Sequence, residues 1–370
     1  MALYRTFALL LCLLLPVPAA ALDQSAIARL IEQRFAASDS PGLIVALRVG
    51  DEEPLVFAYG TAELEQGSAM SAQTVLPIAS ITKAFVGVSI LLLQQDGKLT
   101  LDDPLSRFLP DYPGAAGITL TQLLNHTAGI PDFVTIPAFA ENQAKNWTPA
   151  ELVALFSKEP PTAPPGQECR YSDSGFVLLG LVVEKASGKS FGDFVRERIA
   201  APLGMSSTIM GSNDALLPLR ARGYAGKRAA WSNVPYLSQS APFSAGAMMS
   251  TAGDLVRLGA ELLPGSKLLQ PDSIAAMTAP PVLANGAECA LPLPGASATY
   301  GLGLELVTFE SLPTHRALGK SGVFPGFGAY FTAFEGSDLS IVAIANQDGG
   351  LPLVVPIVRD LGELLLRSNQ

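Results

Sequence analysis

The sequence predicts an α+β fold in which a single antiparallel sheet, built from both ends of the chain and flanked by helices, carries an inserted, mainly helical lobe. Strand-like apolar runs cluster near both ends, and helical runs alternate with Pro- and Gly-rich loops between them. The 370 residues are 49% hydrophobic and 15% charged, which excludes a disordered chain and supplies a core large enough to hold a cleft. A formal net charge of −9 excludes a nucleic-acid partner, because phosphate binding needs clustered Lys and Arg.

Residues 1–21 read as a secretory signal peptide, with Arg5 ahead of an apolar run from Phe7 to Leu15 and small residues at Ala19, Ala20 and Ala21. A periplasmic or secreted protein is expected, with no membrane span once the signal is removed. The later apolar stretches, Ala84 to Leu93 and Phe176 to Val183, fall short of the roughly 20 residues that a bilayer needs. Ile27, Leu30, Ile31 and Phe35 then mark a helix. Two strand-like runs follow, Gly42 to Val49 and Pro54 to Tyr59, separated by the turn-like Gly50 to Glu53. The last part returns to strands at Tyr300 to Val307, His315 to Val323, Gly328 to Phe334 and Leu339 to Asn346, closed by a helical pattern from Val354 to Leu366. The expected division is a sheet lobe of about 22–73 and 295–370 and a helical lobe of about 74–294 within one domain, 22–370.

Outside the signal segment only Cys169 and Cys289 remain, and an exported chain permits them to pair. A disulfide would close a loop worth roughly 4–5 kcal/mol in chain-entropy terms. The alternative is two buried thiols. With so few Cys, and His126 and His315 the only histidines, no zinc site and no other cofactor is expected.

Three short motifs carry the chemistry. Ser80, Ile81, Thr82 and Lys83 form a Ser-x-x-Lys ahead of an apolar helical run. Positions three apart share a helix face, so Lys83 projects beside the Ser80 hydroxyl in the first turn, where free backbone N–H groups favour negative charge. A lysine kept neutral by burial or neighbouring cations can take the serine proton. Alone, the motif fits a capping serine and a surface lysine better than it fits catalysis. Tyr171-Ser172-Asp173 sits where the loop Pro164-Pro165-Gly166 passes into a helix, and Lys320-Ser321-Gly322 lies on a strand that turns at Pro325-Gly326.

In this order the motifs resemble those of the penicillin-recognising serine hydrolases. The class C β-lactamases and related DD-peptidases and esterases carry Ser-x-x-Lys, Tyr-x-Asn, and Lys-Thr-Gly or His-x-Gly. The likeness extends over roughly residues 43–348, including Leu123-Leu124-Asn125-His126-Thr127-Ala128-Gly129 and Ser250-Thr251-Ala252-Gly253-Asp254. It implies a β-lactamase/transpeptidase-like fold, Ser80 as nucleophile, Lys83 as its proton partner and Tyr171 as second acid/base, the phenol acidified by Lys83 and Lys320, and leaves open which of Lys83 and Tyr171 takes the first proton. The backbone N–H groups of Ser80 and Val323 would form the oxyanion hole. Lys320, with Ser321, Gly322 and Asn346, would meet a substrate carboxylate. The implied function is hydrolysis of β-lactams or D-alanyl-D-alanine-type peptides through an acyl-enzyme. The alternatives are a carboxylesterase, or a penicillin-binding sensor with negligible turnover.

Two positions depart from the motifs. Asp173 replaces an amide donor with a carboxylate, read either as a change in substrate recognition or as a cap for a helix beginning near Gly175. Ser321 keeps the hydroxyl of the usual threonine. Other apparent motifs are set aside. Gly188-Lys189-Ser190-Phe191-Gly192 matches a nucleophile elbow in letters, but follows a helical run and reads as a helix end and restart. His126 is expected to be structural and His315 to lie outside the cleft.

Overall fold

The computed structural model describes residues 23–367 apart from 292 and 294; the expected signal segment lies outside the described residues. Eight strands form one sheet: β1 (Gly42–Val49), β2 (Leu55–Glu63), β3 (Ser68–Ala69), β4 (Ala296–Tyr300), β5 (Glu305–Phe309), β6 (Ala317–Phe324), β7 (Phe327–Phe334) and β8 (Leu339–Ala345). Their order is β3-β2-β1-β8-β7-β6-β5-β4, so the N-terminal strand β1 pairs antiparallel with the last strand β8, Leu43 opposite Ala345. The sheet is therefore closed only when both ends of the chain have arrived.

Both of its faces are buried. Leu43, Val45 and Leu47 join Ile341 and Ala343 against the terminal helices Gln24–Ala36 and Leu351–Arg367. Ile44 and Ala46 join Val342 and Ile344 on the other face, toward the inserted segment. A sheet covered on both sides has no polar face, and this is why β1 and β8 read as nearly unbroken apolar runs.

Helices Thr82–Gln95 and Asp173–Ser187 are buried on almost every side. Helix Ala252–Ala260 packs on β1, β7 and β8, so the insert itself covers the inner face of the sheet. The insert also contains strand pieces that the sequence pattern does not announce. Met248–Ser250 pairs with Leu76–Pro77 and with Ile209–Met210.

The expected strand from Tyr300 to Val307 is instead two, because the chain turns at Gly303, whose φ is +78°, and brings Glu305 opposite Tyr300. Only a residue without a Cβ takes that conformation freely. His315 precedes β6 rather than opening it, and its ring meets Thr314 at the surface. Cys169 and Cys289 are joined as a disulfide with a Cα–Cα distance of 5.4 Å. No helix among the described residues is long and apolar enough to cross a membrane.

Candidate active site

Ser80 sits in a 3-10 turn, Ala79–Ile81, immediately before helix Thr82–Gln95. This turn, rather than the first turn of the α-helix itself, presents the hydroxyl. Ala79 has a φ of +49°, an unusual conformation for a residue with a Cβ. Gly322 of β6 lies against this turn, and a Cβ there would come within 2.4 Å of the Ile78 carbonyl oxygen. The absent side chain is what lets β6 approach the serine.

Lys83 is wholly buried. Its Nζ donates to the Ser80 Oγ at 3.1 Å, to the Asp173 Oδ1 at 2.5 Å and to the Ala245 carbonyl at 2.6 Å. Burial pushes its pKa below the ordinary lysine value; the Asp173 carboxylate opposes that and the Lys320 charge adds to it. The Tyr171 hydroxyl is 2.8 Å from the Ser80 Oγ. Two groups, Lys83 from the helix that follows Ser80 and Tyr171 from a distant part of the chain, thus converge on one oxygen.

Tyr171 does not behave as the motif suggests. Desolvation, followed by the Asp173 charge, raises its pKa well above 10, so the phenol keeps its proton. Burial outweighs the expected acidification by Lys83 and Lys320, and each of these cations is paired with a carboxylate. Lys83 is held by Asp173. Lys320 Nζ donates to the Glu305 Oε1 at 2.5 Å, and the Ser321 hydroxyl donates to the same oxygen at 2.7 Å. Lys320 and Ser321 are therefore already engaged by an internal carboxylate, contrary to the expectation that they would meet one from the substrate.

Asn346 is also corrected. Its side chain is fully buried and its Nδ2 donates to the carbonyls of Thr61, Ala62 and Arg222, so it ties backbone segments together rather than facing the cleft. Asp173 is not a helix cap. Ser172 caps the helix by accepting from the Gly175 N–H, and Asp173 is its first residue, free to turn toward Lys83.

His126 is buried and structural. Its Nδ1 accepts from the Ser172 N–H at 3.2 Å, and its ring lies tilted 4.5 Å from that of Tyr171 and meets that of Tyr300 edge-on at 4.6 Å. Burial and the two nearby lysines hold its pKa well below 6.5, so it is neutral. Gly188 ends helix Asp173–Ser187 in a left-handed conformation and Ser190 caps the next helix, as expected for that segment.

Asp132, Glu305 and Ala245 are site components that the motifs missed. Asp132 caps the turn Phe133–Thr135, and burial together with the Asp173 charge lifts its carboxyl to about 7. Glu305 was visible as a lone charge in an otherwise apolar strand. Nothing in the sequence marks the Ala245 carbonyl.

A cavity of about 120 Å³ opens at Ser80, walled by Phe133, Phe139, Leu237 and Val323 with the Asp173 carboxylate at its edge. A sheet built from both termini, a helical insert, and Ser80, Lys83 and Tyr171 meeting at their seam define the β-lactamase/transpeptidase-like class of serine hydrolases. The chain belongs to the β-lactamase family, whose sequence pattern matches residues 27–359. It is similar to a penicillin-binding protein of Bacillus subtilis, 32% identical over 188 residues, covering 50% of this chain and 41% of that protein. It also resembles the human mitochondrial serine beta-lactamase-like protein LACTB, 26% identical over 295 residues, covering 61% and 54%. The chain thus spans about half the length of these curated relatives.

Among solved structures, D-amino acid amidase from Ochrobactrum anthropi in complex with L-phenylalanine amide superposes with a TM-score of 0.80 at 27% identity, covering 94% of this chain and 99% of that one. A penicillin-binding protein from Bacillus halodurans at 24% identity, TM-score 0.74, covering 90% and 98%, shares the fold.

Proposed function

We propose that this serine hydrolase forms an acyl-enzyme on Ser80 and hydrolyses amide bonds, including those of β-lactams and D-alanyl-type peptides. The observation that carries the reading is the convergence of Lys83 Nζ and Tyr171 OH on the Ser80 Oγ. In its neutral form Lys83 donates its two hydrogens to Asp173 and Ala245, which leaves its lone pair directed at the serine. Lys83 takes the Ser80 proton as Oγ attacks the carbonyl. Tyr171, still protonated, gives its proton to the leaving nitrogen and recovers one from Lys83. The backbone N–H groups of Ser80 and Val323 stabilise the oxyanion, a contribution of roughly 3–4 kcal/mol per donor in other acyl-transfer enzymes.

The amidase among the structural neighbours supports amide chemistry. Esterase activity would use the same machinery. The acyl donor is proposed to carry a carboxylate, and export is supported by the signal-like residues 1–21 and by the Cys169–Cys289 pairing.

The test is the intact mass of the protein after incubation with a penicillin, a cephalosporin and p-nitrophenyl acetate, together with loss of each substrate. An adduct on Ser80 or catalytic loss is expected. Ser80→Ala should lose at least about 10³-fold in turnover with an unchanged circular dichroism spectrum. A folded Ser80→Ala protein with full activity would refute the assignment.

A further inference from the structure

Next to the Ser80 cavity, and sharing its Leu237 and Phe324 wall, lies a groove of about 470 Å³. Its charged lining is Arg220, Arg222 and Glu63. Arg222 pairs with Glu63 at 3.2 Å and with Glu65 at 3.5 Å. Arg220 has no acidic or hydrogen-bonding side-chain partner among the described residues. It is held by its backbone, since the Val75 N–H donates to the Leu219 carbonyl and the Ala221 N–H to that of Val75. The groove therefore keeps one unneutralised guanidinium on a fixed segment. Lys320, the cation the sequence pointed to, is already matched by Glu305.

A second, independent feature lies in the wall of the same groove. Gln239 lines it and is only 1% exposed; its Nε2 donates to the Ala247 carbonyl at 3.1 Å, while its Oε1 has no partner. A buried acceptor left unpaired is destabilising, and a turn of the Gln239 side chain toward the groove lets a bound group supply it with an N–H or O–H. Tyr236, 59% exposed, and Phe324 offer flat apolar surface alongside. An arginine fork suits a carboxylate, and the neighbouring acceptor suits an amide N–H.

We propose that Arg220 forms an anion-binding subsite for the far end of an extended acyl donor, one that carries a carboxylate and, between it and the scissile carbonyl, an amide N–H received by Gln239. This rests on the acyl-enzyme reading of Ser80. It identifies the substrate class as acidic peptide-like acyl groups, and moves carboxylate recognition from Lys320 to Arg220.

The experiment compares mono-p-nitrophenyl adipate and suberate with p-nitrophenyl hexanoate and octanoate, corrected for uncatalysed hydrolysis. The kcat/KM of the anionic ester should exceed that of its neutral counterpart at least tenfold at one chain length, and the ratio should fall with added salt. Arg220→Gln should bring the ratio close to one while changing the neutral ester less than twofold, and Arg220→Lys should restore part of it. Ser80-dependent turnover without a charge preference, or an Arg220→Gln protein that loses both esters equally, overturns the subsite alone. If none of the esters is hydrolysed in a Ser80-dependent way and none leaves an adduct on Ser80, the acyl-enzyme reading fails and the subsite with it.

Discussion

At the scale of single residues, the site is governed by how five ionisable groups share their charges. Lys83 is paired with Asp173, Lys320 with Glu305, and Asp132 stands beside Asp173 with no ion-pair partner of its own among the described residues. Asp173 raises the Lys83 pKa against the effect of burial. Asp173→Asn removes that support, so the acid limb of the kcat/KM profile, which reports loss of neutral Lys83, should move down by about 1–3 pH units. A limb that stays in place would mean Lys83 is not the base. Asp132 titrates at about 7 in the folded protein. The unfolded chain gives up that proton near pH 4, so the favourable contribution is complete below about 4 and is lost as pH rises through 7. Asp132→Asn keeps the cap acceptor and should therefore be more stable than the parent at pH 8, on the order of 2 kcal/mol, and no more stable at pH 4, in thermal melts at both values.

At the scale of elements, catalytic geometry depends on how closely β6 approaches the Ser80 turn and on how firmly the loop before Tyr171 is held. Gly322→Ala sets a Cβ against the Ile78 carbonyl and should displace Val323, with kcat falling about 10²-fold or more because an oxyanion donor is misplaced. Steady-state kinetics on a folded variant would check this, and near-normal kcat would argue against Val323. The disulfide anchors Cys169, two positions before Tyr171, to the segment leading into β4. Replacing both cysteines by serine should lower stability by up to about 4–5 kcal/mol, read from denaturant midpoints, and reduce kcat through loss of Tyr171 positioning.

At the scale of the whole molecule, the sheet cannot be completed by either end of the chain alone. β1 lies between β2 and β8, and helix Leu351–Arg367 covers Leu43, Val45 and Ile341. A chain ending at residue 350 would expose that apolar face across several strands. It should accumulate as insoluble protein, and the soluble fraction on expression compared with the full chain is the measurement. Equal solubility would show that the sheet is stable without its C-terminal cover.

The local chemistry was legible in the sequence because it rests on short spacing. Ser80 and Lys83 are one helical turn apart, Ser172 and Gly188 mark the ends of a helix, and alternating or unbroken apolar runs mark β1, β6, β7 and β8. The sequence by itself thus determined the architecture, the Ser80, Lys83 and Tyr171 grouping, and the structural role of His126. Charge pairing was decided by the tertiary structure alone. Glu305 reaches Lys320 only because β5 pairs antiparallel with β6, Glu305 opposite Gly319, and Arg222 pairs with Glu63 and Glu65 while Arg220 has no carboxylate partner among the described residues. Electrostatic energy depends on distance and burial rather than on position along the chain, so the pKa of Tyr171 is raised first by its burial in the tertiary structure, then by the Asp173 charge and by the distant Tyr300 and Glu305.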